Sequence, residues 1–80
     1  MEAKVKVYGT KTCEDTIRSR AFLKRSSIPY AWIDVDEDKQ GEETIKSLNN
    51  GNRSTPTIVF DDGAVLIEPS DEQLAQQLGL

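Results

Sequence analysis

The chain has 80 residues, 36% hydrophobic and 30% charged, a composition that predicts one globular domain spanning 1–80. One cysteine excludes an internal disulfide, no histidine is present to build a zinc site, and no metal ligand set is expected. A net charge of −4 without a basic, aromatic patch argues against nucleic acid, and no apolar run approaches the roughly 20 residues that span a bilayer.

The charge is segregated. Residues 1–30 hold seven Lys/Arg and three Asp/Glu, whereas residues 31–80 hold three and eleven. We read this as a basic helix face and acidic loops in solvent. The opening MEAKVKV has no signal-type hydrophobic region, so the expected compartment is reducing cytoplasm, where a lone thiol stays free.

In chain order, Lys4 to Tyr8 alternates as a strand and stops at Gly9. A helix is predicted from Glu14 to about Arg25, with Ile17, Ala21, Phe22 and Leu23 as its apolar stripe. Its acids come first and its bases later, the order a helix dipole favours. SSIP breaks it, since Pro29 holds its predecessor extended. YAWIDV is a second strand, rich in aromatic and β-branched residues. An acidic entry leads to a short helix around Glu42 to Leu48, with Ile45 and Leu48 predicted to face the core. TPTIVF, the turn DDG and AVLIE then form a hairpin. Ser70 and Gln73 fit a capping box that opens a last helix, on which Leu74, Ala75 and Leu78 share a face. The order β-α-β-α-β-β-α implies an α/β domain with one parallel and one hairpin pair, hence a mixed sheet covered by helices.

Three features carry chemistry. Cys13 ends a short loop at the start of a helix, where free N–H groups and the helix dipole stabilise a thiolate. Lys11 adds a nearby cation, and Thr16 adds a hydroxyl one turn on, at the position where a dithiol protein carries its second cysteine. A small buried apolar side chain is the competing reading of Cys13. Thr55–Pro56 stands at a strand entry, where an X–Pro bond is either an ordinary trans start or a cis bond that turns backbone groups outward to pair with an extended peptide. Ser70 is explained by capping, but the same helix start also suits a carboxylate, and Asp71 an ammonium.

By order and spacing these segments resemble the glutaredoxin family, with its thioredoxin-like fold, over essentially the whole chain. KVKVYGTKTC is similar to the strand and active-site loop of that family, and STPTIVF to its segment bearing a cis-proline. IPYAWIDVDED and the stretch from Gly51 to Leu80 resemble the small actinobacterial members, the mycoredoxins and their NrdH-type relatives. The resemblance implies a four-stranded mixed sheet with helices on both faces. It also implies a Cys13 thiol that attacks mixed disulfides, with glutathione or mycothiol as co-substrate and no tightly bound cofactor. The co-substrate would lie against Thr55 and Pro56, place its γ-glutamyl end at Ser70 and Asp71, and meet Lys11 and Arg53 with its glycine carboxylate. The expected partners are that thiol and protein mixed disulfides, with the chain a monomer.

The active-site motif departs from the family. Cys13–Glu14–Asp15–Thr16 is neither the dithiol C-P-Y-C nor the cluster-binding C-G-F-S. Glu14 and Asp15 set two carboxylates within a turn of the thiol and oppose its ionisation. At about 6 Å and an effective dielectric near 20, one such repulsion is worth roughly 3 kcal/mol, against about 1 from the dipole. Exposure and salt reduce it. The acids therefore either select a cationic or protein substrate or mark a site whose activity has decayed. The leading expectation is a monothiol oxidoreductase acting through Cys13; the alternative is a weak or inactive module that binds a thiol or peptide at the proline groove. A cluster carrier, with Cys13 from two chains, is a third.

Overall fold

The computed structural model describes residues 4–80; the first three residues of the MEAKVKV stretch lie outside the described residues. Strand β1 (Val5–Gly9) buries Val5 and Val7 and turns Lys6 to solvent, as its alternation predicts. Strand β2 (Ala31–Asp34) pairs with it in parallel. On its other edge β1 pairs antiparallel with β3 (Thr57–Phe60), which pairs antiparallel with β4 (Val65–Ile67). The sheet order is β2-β1-β3-β4, the mixed sheet expected from the element order.

Register decides the two faces. Val5 lies opposite Phe60 and Val7 opposite Ile58, so all four project to one side. Helices α1 (Glu14–Arg25) and α3 (Asp71–Leu78) bring Leu23 and Leu74 onto that side, completing a core against which Trp32 and Leu66 pack. Fully burying each leucine stabilises the fold by about 1.5–3 kcal/mol. Helix α2 (Lys39–Leu48) covers the opposite face. A Cβ added at Gly41 would sit 2.6 Å from Ile33 Cγ2, so only glycine lets α2 approach β2 this closely. Ile45 is fully buried there.

Two stripes differ from the sequence reading. Helix α1 buries Thr16, Ser19 and Leu23, and Ile17 is 51% exposed. The reason is a close approach: a Cβ on Gly9 would come within 2.6 Å of the Thr16 side chain, so the inward face of α1 at its first turns must be small. In α2, Leu48 is also exposed, leaving Ile45 as the apolar anchor, and the helix starts at Lys39 because Asp38 caps it by accepting from the Gly41 N–H at 3.0 Å.

The capping box of α3 is present: Ser70 Oγ accepts from the Gln73 N–H at 3.1 Å, and the Ser70 N–H donates to Gln73 Oε1 at 2.8 Å. The parallel pair sets Gly9 beside Asp34, and the Val35 N–H donates to the Gly9 carbonyl at 3.0 Å. The loop to Cys13 and the acidic segment after β2 therefore leave from neighbouring strand ends, the edge at which open α/β sheets form ligand sites.

Candidate functional site

Cys13 is the N-cap residue of α1, with extended backbone, and its carbonyl accepts from the Ile17 N–H at 3.0 Å. Its side chain is half-buried and caps no N–H group. Instead the thiol donates to the Thr55 carbonyl oxygen at 3.6 Å, 42 residues away in sequence. The Thr55–Pro56 bond is cis, and Pro56 is buried. Thr57 Oγ1 donates to the Ser54 carbonyl at 2.8 Å, and Asn49 Nδ2 to Ser54 Oγ at 2.6 Å, which ties this turn to the end of α2.

Burial pushes the Cys13 thiol up. The backbone N–H and the hydroxyl of Thr16, the Thr55 side chain and the Asp15 N–H outweigh it, and the thiol falls below the ordinary cysteine value. The Thr16 hydroxyl has a specific place in this balance. Its oxygen is buried with no hydrogen-bond partner while Cys13 is a neutral thiol that donates to Thr55. On ionisation the sulfur becomes an acceptor, and that hydroxyl gains a partner.

The two acids that the sequence sets against ionisation are one paired and one exposed carboxylate. Arg18 Nη1 holds Asp15 Oδ1 at 2.9 Å, and Glu14 is exposed. Water and a paired cation screen both carboxylates, while the Asp15 backbone itself helps hold the sulfur anion. The Lys11 ammonium lies 3.8 Å from Asp34 and 3.5 Å from Glu37.

The structure thus brings Cys13, Thr16, Thr55 and Pro56 together and places Lys11, Asp15, Arg53 and Asp71 in ion pairs, with Glu14 exposed and Ser70 in the capping box. Arg53 is bound by Asp36 and Glu42, each at 2.5 Å. Asp71 lies between Arg18 at 3.9 Å and Arg25 at 3.6 Å. Ser70 spends both its hydroxyl and its N–H on the capping box, leaving the Asp71 and Glu72 N–H groups as the free donors at the start of α3. Arg18 also donates to the Pro69 carbonyl at 3.2 Å and so clamps the starts of α1 and α3 together.

Sequence reasoning missed Gly9, Arg18 and the acids Asp34, Asp36, Glu37 and Glu42. A signal for the acids was present. Parallel pairing of β1 with β2 predicts that the segment after Asp34 emerges beside the loop carrying Lys11. Among the described residues, no group of three His, Cys, Asp or Glu side chains is arranged to hold a metal ion, and no helix is long and apolar enough to cross a membrane.

The architecture is thioredoxin-like, with its one thiol at the first helix and a cis-proline turn against it. Comparison with known proteins narrows this class. The glutaredoxin family model matches residues 5–65. A protein of Mycobacterium tuberculosis named as a glutaredoxin is 32% identical over 76 residues, covering 95% of this chain and 90% of that one. Mycoredoxin 1 of Corynebacterium glutamicum is 38% identical over 66 residues, covering 81% and 80%. The crystal structure of a glutaredoxin from Archaeoglobus fulgidus superposes with a TM-score of 0.80 at 28% identity, covering 95% of this chain and 86% of that one. The chain belongs to the glutaredoxin family of thiol oxidoreductases, which act with low-molecular-weight thiols on protein disulfides.

Proposed function

We propose that this protein is a monothiol reductase of protein mixed disulfides. The Cys13 thiolate attacks the low-molecular-weight sulfur of a mixed disulfide; a new disulfide forms at Cys13 and the protein leaves as its thiol, taking up a proton. A second low-molecular-weight thiolate attacks the same sulfur, releasing the Cys13 thiolate and a symmetrical disulfide. Two small thiols supply the two electrons, so one cysteine suffices. The observation that carries this reading is the placement of the chain's one thiol at the α1 N-cap, 3.6 Å from the Thr55 carbonyl beside the cis-proline.

The reducing thiol is glutathione or mycothiol, lying along Thr55 and Pro56 with one end at Ser70 and Asp71. Lys11 and Arg53 receive any carboxylate it carries, which must compete with the acids that already hold them. Exposed pairs of this kind are worth only about 0–1 kcal/mol each, so a substrate carboxylate can displace them. The protein works as a monomer in the reducing cytoplasm, where a lone thiol persists.

The test is reduction of a protein mixed disulfide with each thiol in turn. We expect turnover with one of them and none for Cys13→Ser. Wild-type inactivity with both thiols, with peptide binding retained, contradicts the proposal and supports a non-catalytic binding module.

A further inference from the structure

The cations of this protein divide into two sets. Lys11, Arg18, Arg25 and Arg53 each lie within 4 Å of a carboxylate. Among the described residues Lys4, Lys6, Arg20, Lys24, Lys39 and Lys46 have no such partner, and of these Arg20 and Lys24 line one strip of surface. Two adjoining clefts, of about 590 and 260 Å³, share Lys24 and Tyr30. Ile17, Arg20 and Ala21 line the smaller and Ile28 the larger, and no carboxylate lines either.

The strip is built for contact. Ile17 is 51% exposed, and Ala21 and Lys24 are exposed at helical spacing beyond it. The Arg20 guanidinium is already ordered: it stacks 3.9 Å from the Trp32 ring centroid, and Nε donates to the Tyr30 hydroxyl at 3.0 Å. A cation held this way loses little further side-chain entropy on meeting an anion. In a chain of net charge −4, two clefts lined by apolar side chains, by two cations without a carboxylate partner among the described residues and by no acid call for an acidic, partly apolar partner.

The strip also begins one helical turn from the residue that carries the thiol. Ile17 is hydrogen-bonded to Cys13 across the first turn of α1. Lys24 lies further along the same helix, roughly 16 Å from Cys13 at about 1.5 Å per residue. An extended peptide covers that distance in about five residues.

We propose that this strip docks the protein substrate. An extended segment with an apolar side chain and one or two carboxylates, within about five residues of the reacting cysteine, lies along Ile17, Arg20 and Lys24 while its disulfide is exchanged at Cys13. The position of the segment rests on the exchange reaction proposed above; its chemistry rests on the charge pattern alone.

The experiment uses peptides of equal length carrying glutamate or lysine at the third and fourth positions after the cysteine, each as a mixed disulfide with the same small thiol. Hydroxyethyl disulfide serves as a substrate too small to reach the strip. We expect kcat/KM to favour the acidic peptide by about tenfold at low salt, and the preference to shrink as salt rises. Lys24→Glu should abolish the preference, and Ile17→Ser should lower the acidic peptide's kcat/KM severalfold, both with hydroxyethyl disulfide turnover kept. Equal rates in the wild type, or a preference that survives Lys24→Glu, overturn the proposal. So does an Ile17→Ser effect confined to oligomeric state in sedimentation, which would assign the strip to a second copy of the chain. If all disulfides are inert, the exchange reading has failed and docking is read separately, from binding of unlinked peptides to Cys13→Ser: selective binding of the acidic peptide supports it and equal or absent binding refutes it.

Discussion

Replacing Thr16 by valine should move stability and reactivity in opposite directions. Thr16 is fully buried, and its hydroxyl lacks a hydrogen-bond partner while Cys13 is protonated. An unsatisfied buried hydroxyl costs about 1–3 kcal/mol, and valine keeps the side-chain shape. Thr16→Val should therefore stabilise the neutral-thiol form by about 1 kcal/mol, which for a domain of this size raises Tm by roughly 4–8 °C. The thiolate loses a donor. A hydrogen bond to a charged acceptor is worth about 1.5–3 kcal/mol, and the low end suits a half-buried sulfur. Alkylation of Cys13 by iodoacetamide near neutral pH should thus slow by about tenfold. Thermal unfolding at acid pH and alkylation kinetics read the two effects on the same samples. A valine variant less stable than the wild type, or one that alkylates equally fast, refutes the role given to this hydroxyl.

Gly9→Ala forces a methyl group to within 2.6 Å of Thr16 and should lower stability by about 1–3 kcal/mol, read by urea unfolding. Freeing Arg53 with Asp36→Asn and Glu42→Gln should lower KM for glutathione severalfold, with kcat unchanged; an unchanged KM removes Arg53 from the co-substrate site. The lowered Cys13 value also links folding to pH. Between the folded and ordinary thiol values, the unfolded chain holds a proton that the native state has lost, so stability rises with pH across that window. It is lost as pH falls through the folded value. Chemical unfolding of the wild type should show this rise, and Cys13→Ser should not.

The order of elements was legible because each carries local punctuation: Gly9, Pro29, DDG and the Ser70–Gln73 box fall where strands and helices end or begin. The cysteine and the threonine–proline pair were legible as separate features, and the fold brings them to 3.6 Å. The buried face of α1 was not legible. Periodicity ranks Ile17 above Thr16 and Ser19, but the contact with Gly9 admits only small side chains, a constraint that exists only once β1 and α1 are packed. The balance at the thiol was hidden for a similar reason. The residue letters place Glu14 and Asp15 next to Cys13, whereas the structure turns the Asp15 carboxylate to Arg18 and leaves its backbone to favour the thiolate. Ion pairs at Arg53 and Asp71 likewise join residues from different elements, out of reach of any short motif.

The proposed chemistry turns on Cys13 ionising readily despite its two acidic neighbours. Its most direct test is the rate of Cys13 alkylation across pH in the wild-type protein. We expect a midpoint below that of a free cysteine, which Glu14→Gln and Asp15→Asn hardly move. A midpoint at or above the free value, or one that falls sharply when the acids are neutralised, would contradict it.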